Sequence, residues 1–358
     1  MSLPYLQPYF GLSNSLQTAQ AAGGAGGIGG WVELGRTTLG SAGDTITVSS
    51  LADKRYYMVL GNPINNGAVD YDYQYRLNSD TGTNYSRRRS ANGGADNAAG
   101  NQNMINITSG VVQSPVFSVG YFSNLSTKEK LVQNWLVDPD VAGAGTAPER
   151  TVMVGKHAQT TNPIDEISLL NLFGSNKFGI GSEVVVLGWD PADTHTTNFW
   201  EELASVDLSG GAATTIDSGT FTAKKYLCFQ IFAETVTNIV PRLQFNSDTG
   251  ANYSRRGSNN GGTDFTSVNG VELGLELGNT ADNSFINGFI INNSANEKLM
   301  ISHTVNGGGA GSANDPDRKE IVGKWANTSA QITKLVINNT GGTGNFGTKS
   351  IMKVFGSD

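Results

Sequence analysis

The 358-residue chain carries 24 Lys and Arg against 31 Asp and Glu, a formal net charge of −7. That balance excludes a phosphate-tracking nucleic-acid binder, which needs clustered cations, and no apolar run approaches the roughly 18 residues of a membrane-spanning helix. One cysteine, Cys228, rules out an internal disulfide, and 46 glycines with only 15% charged residues make a composition of short strands and many turns.

Residues 1–20 have no counterpart later in the chain. They present Leu3, Tyr5, Leu6, Tyr9, Phe10 and Leu12 with Pro4 and Pro8 among them, a spacing that opposes a continuous helix through the first eight residues; a disordered terminus is the plainer reading and an extended apolar arm that anchors on a partner the functional one. The run AAGGAGGIGG, residues 21–30, reads as a glycine tether. No basic stretch leads into an apolar core, so no signal peptide is expected, and the lack of crosslinks suits assembly in a reducing cytoplasm.

From Trp31 onward, β-rich runs alternate with turn residues. Strands are predicted at Val32–Leu39, Thr45–Val48, Arg55–Leu60, Tyr71–Leu77, Tyr85–Arg89, Met104–Thr108, Val116–Phe122, Lys130–Val137, Arg150–Val154, Glu166–Leu172 and Glu183–Leu187. No window keeps helical periodicity for three turns. PADTHTTN, residues 191–198, reads as a short linker that sets two domains close together.

After the linker the plan repeats. Asn78–Asp96 (NSDTGTNYSRRRSANGGAD) returns as Asn246–Asp264 (NSDTGANYSRRGSNNGGTD), matching at 15 of 19 positions with an offset of 168. The predicted organisation is all-β: an arm and tether (1–30), a jelly-roll β-sandwich (31–190), a linker (191–198) and a homologous second sandwich (199–358). Around ten strands per copy are too many for an immunoglobulin-like sandwich of about seven. Each sandwich is expected to bury one face of its strands and to wet the other.

Few residues offer chemistry. In each repeated loop, Asn78, Asp80 and Asn84, or Asn246, Asp248 and Asn252, are oxygen donors, but one carboxylate per loop is thin for calcium. Turn formation is the plainer reading, and hydrogen bonding of sugar hydroxyls beside Tyr85 and Tyr253 is the other ligand reading. Arg88 and Arg256 follow on a strand as candidate ligand or subunit contacts. His157 aligns with Trp325 and His303 with Trp135, so those positions call for a flat ring and not a metal ligand or proton carrier; His195 falls in the linker. The acid pairs Asp138/Asp140 and Glu201/Glu202 are candidates for a glycosidase-like pair, but Asp138 aligns with Asn306. Neither a catalytic residue nor a metal or other cofactor is expected.

The loop Asn78–Tyr85 and its copy Asn246–Tyr253, the segments Glu129–Leu131 and Glu297–Leu299, Val322–Trp325, and the stretch Phe346–Gly356 together resemble structural proteins of tailed bacteriophages built from repeated sandwich domains. The first copy departs from that pattern at His157, where Trp is expected. The resemblance spans residues 31–358 and implies a non-enzymatic virion protein assembled in the host cytoplasm. Expected partners are other virion proteins through the arm, further copies of the chain with a trimer favoured, and a cell-surface glycan, but neither nucleic acid nor an inserted membrane. A tail or fibre protein that contacts the host and a capsid decoration protein are the alternatives it leaves; apart from the resemblance, a secreted glycan-binding lectin-like module or depolymerase is the third reading.

Overall fold

A computed structural model describes residues 30–67, 71–111, 115–193, 197–234, 240–275, 283–307, 312–313, 315–340 and 344–358. The expected arm with its apolar anchor residues, and His195, lie outside them. The described residues form strands and turns and contain no helix. In the first half the strands are β1 (Val32–Thr38), β2 (Thr45–Val48), β3 (Tyr56–Asn62), β4 (Tyr71–Leu77), β5 (Tyr85–Ala91), β6 (Asn97–Gln102), β7 (Ile105–Val111), β8 (Phe117–Ser123), β9 (Lys130–Asp138), β10 (Glu149–His157), β11 (Ile167–Leu170) and β12 (Glu183–Trp189). An eight-stranded sheet in the order β1-β12-β3-β8-β9-β10-β5-β6 accompanies a four-stranded sheet, β2-β11-β4-β7. The quartets β1-β12-β3-β8 and β2-β11-β4-β7 have the nested order of a jelly roll, with the chain crossing between sheets at nearly every step. Strands β9, β10, β5 and β6 widen the large sheet. Strand β6, NAAGNQ, escaped the sequence reading because Asn, Ala and Gly carry little strand propensity; it forms by pairing along the edge of β5.

The second half repeats this wiring. Its strands are β13 (Glu201–Asp207), β14 (Thr215–Asp217), β15 (Tyr226–Ala233), β16 (Pro241–Phe245), β17 (Tyr253–Asn259), β18 (Phe265–Gly270), β19 (Leu273–Gly274), β20 (Ser284–Ile291), β21 (Lys298–Asn306), β22 (Asp317–Trp325), β23 (Leu335–Asn339) and β24 (Ile351–Ser357). The sheets run β13-β24-β15-β20-β21-β22-β17-β18 and β14-β23-β16-β19.

The large sheets depart from the expected pattern of one buried and one wetted face. In β12 every residue is buried. Val184 and Val186 point into the first sandwich, whereas Val185 and Leu187 point the other way. The outward residues of both large sheets meet in a third apolar cluster that joins Met58, Leu60, Phe117 and Val119 to Tyr226, Cys228, Phe289, Leu299 and Ile301. Strands that are apolar at successive positions, such as EVVVLGW, are buried on both faces. Cys228 lies in this cluster, where burial pushes its thiol pKa far up and leaves it a small hydrophobe.

The joint is offset. Along β9 the outward residues Leu131 and Gln133 are exposed, while Trp135 is largely covered and Val137 is buried. Along β21, its copy, Leu299 and Ile301 are buried, and the outward residues become exposed at Val305. Strands β10 and β22 show the same reversal. One half thus lends the far end of its strands and the other half the near end, so the large sheets overlap like lapped boards. Trp135 and its copy-equivalent His303 meet edge-on where they cross, 5.0 Å between ring centres.

Polar anchors rim the overlap. Arg150 donates to both carboxylate oxygens of Asp264, at 2.5 and 3.2 Å, and to Glu320 at 2.7 Å. Burial opposes the guanidinium charge, but the two acids outweigh it and raise the arginine pKa. The segment 139–148 lies on the second half: Lys324 donates to the carbonyls of Pro139 and Val141, Glu297 accepts from the Gly143 amide, and Arg256 donates to the Pro148 carbonyl. Deleting one member of a buried ion pair strands the other, at roughly 3–5 kcal/mol. Arg150→Ala is therefore expected to lower unfolding free energy by about that amount and to split a single denaturant transition into two, read by tryptophan fluorescence.

Candidate functional site

The repeated loop is the feature on which sequence reasoning placed most weight, and its two copies have nearly the same geometry. Asn78 and Ser79 both take positive φ, and the Asp80 amide donates to Leu77, closing a tight left-handed turn. Asn246, Ser247 and Asp248 do the same over Phe245. The carboxylate then binds its own loop. Asp80 Oδ1 accepts from the Gly82 amide and Oδ2 from Asn84 Nδ2, each at 2.8 Å, and Asp248 repeats both bonds with Gly250 and Asn252. The glycine is required here, because a Cβ at Gly82 or Gly250 would sit 2.7 Å from the Asn amide and 3.0 Å from the carboxylate.

A third donor comes from the aromatic position. His157 Nε2 lies 2.7 Å from Asp80 Oδ2, and Trp325 Nε1 donates to Asp248 Oδ2 at the same 2.7 Å. The rings also stack on the loop tyrosine: His157 on Tyr85 at 4.4 Å and 11°, Trp325 on Tyr253 at 6.4 Å and 18°. The His/Trp exchange preserves a flat ring, as the sequence suggested. It also preserves a ring N–H aimed at the carboxylate, which is legible only from what the two rings share. Burial opposes ionisation of Asp80 and Asp248, but these donors prevail and hold both carboxyls below the ordinary range.

The arrangement spends most of the candidate ligand groups on the loop itself. Tyr85 and Tyr253 are fully buried, and each hydroxyl bonds to the backbone at both ends of the loop, through Leu77 and Asp80 or Phe245 and Asp248. They present no face for a sugar. Asn78 and Asn246 spend their side chains tying the loop to Pro163 and Asp165, or to Gln331 and Thr333. Asn84 and Asn252, though exposed, point their amides at the carboxylate, which already accepts a donor on each oxygen. Among the described residues no cluster of three or more His, Cys, Asp or Glu suits a metal. The arginines separate by copy. Arg256 reaches Pro148 across the joint, whereas its equivalent Arg88 is exposed, with only a 3.5 Å contact to Asp96. On neighbouring positions, Arg255 is buried over the Phe265 ring and Arg87 bonds to Asn97.

The acid pairs fare no better as a reaction centre. Glu201 and Glu202 face different lysines, Lys224 and Lys353. Asp138 is the exception in titration, since burial first and Glu149 second push its carboxyl up to about 7 while the Asp140 amide pulls the other way. A carboxyl of raised pKa is what a general acid needs. Here it accepts the Asp140 amide at 2.7 Å and so shapes the turn that delivers Pro139 and Val141 to Lys324. Sequence reasoning missed the joint residues Arg150, Asp264, Glu297 and Lys324. The available signal was a lysine inside the apolar run IVGKW.

No protein-family model and no curated protein matches the chain. Among solved structures it is similar to mouse laminin alpha1 chain domains LG4-5, with 9% identity, 91% of this chain and 89% of that chain covered, and a TM-score of 0.20. Neisserial surface protein A is 8% identical over 81% and 99% of the two chains at a TM-score of 0.10, and the outer membrane protease OmpT from Escherichia coli 7% over 85% and 96% at 0.10. Likenesses this slight carry no argument about fold or function.

Two pH responses follow. Asp80 and Asp248 have folded pKa values below the unfolded value of about 3.9, so their stabilisation is complete above that pH and fades as pH falls through the folded values. Asp248→Ala is expected to cost about 1–3 kcal/mol at pH 7 and to flatten the acid limb of the melting curve below about pH 4. Asp138 has the opposite sign: its folded pKa near 7 lies above the unfolded value, so the protonated form stabilises at low pH and that contribution is lost as pH rises through about 7. Asp138→Asn, the residue found at its copy position 306, should leave the melting temperature unchanged near pH 4 and raise stability at pH 8 by on the order of 1–3 kcal/mol.

Proposed function

We propose that this chain is a non-enzymatic structural protein of a tailed-bacteriophage particle, carried at the tail or fibre surface and serving assembly and host contact. One observation carries the reading: the most strongly repeated motif spends its polar groups inside each sandwich, on turns, a stacked ring and a satisfied carboxylate. Investment of that kind favours rigid construction over turnover. Two supporting features are the resemblance of the repeated motifs to phage structural proteins and the fusion of two jelly rolls through an apolar joint. The apolar residues Leu3, Tyr5, Leu6, Tyr9, Phe10 and Leu12 are the proposed attachment to other virion proteins.

Immunogold labelling of purified particles tests this. Label on the tail or fibres is the expected result, label on the head transfers the protein to capsid decoration, and absence from particles overturns the proposal. Deletion of residues 1–30 is expected to abolish incorporation while leaving the melting temperature of the remainder unchanged. Release of reducing sugar ends from host glycans by the purified chain would contradict the non-enzymatic assignment.

A further inference from the structure

We propose that copies of this chain associate head to tail by remaking, between molecules, the lapped joint that fuses the two halves within one. The inference is independent of any place in a virus particle. It rests on the offset of the internal joint. Because equivalent strands are covered at opposite ends, each large sheet keeps half of its outer face bare, and the two bare halves are the missing complements of the joint already made. The first half exposes the surface that the second half uses internally: Leu131 is 56% exposed where its equivalent Leu299 is 0%. Lys156 is 45% exposed where Lys324 is 0%. The second half exposes the surface that the first half uses, with Arg318 62% exposed against 8% for Arg150.

Six of the polar anchor positions recur, whereas Glu320, the second acid on Arg150, is answered by Val152. At the offset of 168, Arg150 and Asp264 become Arg318 and Asp96, Arg256 and Pro148 become Arg88 and Pro316, and Lys324 and Glu297 become Lys156 and Glu129. Each of the six positions keeps the same residue type. In the internal joint Arg150 bonds to Asp264 and Arg256 to Pro148 across the overlap, and Lys324 and Glu297 bond across it to the Pro139 and Val141 carbonyls and the Gly143 amide. In the idle set they hold looser or solvent-exposed contacts: Asp96 lies 3.5 Å from Arg88, and Arg318 lies 3.6 Å from Glu320. Exposed apolar residues accompany them, Leu131 and Val154 on one half, Phe285 and Val305 on the other.

The occupant that fits is a second copy, because the surface complementary to each bare half is carried by the chain itself. One molecule cannot satisfy both, since the lap places them on opposite overhangs. A contact that pairs different surfaces of the same chain is heterologous, so it propagates into a ring or a filament. The contact between copies is also more polar than the internal one. Val119, Val152 and Val185 are replaced by Asn287, Glu320 and Lys353, and Ile301 by Gln133. The association is therefore reversible and salt-sensitive.

Sedimentation of the full chain over a concentration series, at low and high salt, reads this directly. The expected result is a mass that rises with concentration at low salt. Arg318→Asp alone and Asp96→Arg alone should each weaken association about tenfold or more, which corresponds to about 1.4 kcal/mol. Mixing the two variants should restore it, because each then meets its opposite charge on the other. Both positions are exposed, so melting temperatures close to that of the parent chain separate loss of association from loss of fold. A chain that stays monomeric throughout overturns the proposal. So does association that neither variant weakens, as would occur if residues 1–29 alone joined the copies, and so does failure of the mixture to recover.

Discussion

Everything about this molecule depends on strands that are apolar on both faces. A jelly roll alone needs one apolar face per strand, and the second face here has a single use, to be covered by another sheet. Strands β3, β8 and β12 in the first half and β15, β20 and β21 in the second supply that second face. Their meeting makes four layers from two sandwiches. Phe199 and Trp200, at the entry to β13, are buried in the same cluster, and the Phe199 amide bonds back to the Trp31 carbonyl. Apolar burial supplies the adhesion, and the rim of ion pairs fixes the register, since Arg150 can meet both Asp264 and Glu320 only at one offset.

The repeated loops show how much chemistry a turn can consume. An Asp, two Asn and a Tyr beside a His would suggest a site on paper. In each half the carboxylate is saturated by a backbone amide, a side-chain amide and a ring N–H, and the tyrosine hydroxyl closes the loop base. The depressed carboxyl pKa values reflect that saturation and not a reactive environment. Asp138 shows the converse, a carboxyl destabilised by burial in a turn whose geometry the joint requires. Strong perturbation is evidence for a functional site when a cleft accompanies it, and around Asp138 the turn packs against the second half through Pro139 and Val141.

A duplicated sandwich joined symmetrically would have hidden equivalent surfaces and been complete. The lap hides different surfaces on its two halves, so a molecule built from two like parts has two unlike sides. This is the property a building block of an extended assembly needs, and it follows from the joint without any further domain. The bare face of the second half carries Asn287 and Lys353 where the first half has Val119 and Val185, and the bare face of the first half carries Gln133 beside the exposed Leu131 and Val154.

The sequence alone determined the duplication, the all-β class, the strand positions and the turn chemistry, because these depend on local periodicity and on residues such as Asn78 and Gly82 whose backbone preferences are intrinsic. It also pointed to shared rings at His157 and Trp325. It missed β6, whose residues have no strand preference and owe their conformation to a neighbour. The tertiary structure decided the joint. Leu131 and Leu299 are the same residue at the same place in copied strands, yet one faces water and the other is buried. Nothing local distinguishes them; the difference arises only from which end of each sheet the other half covers.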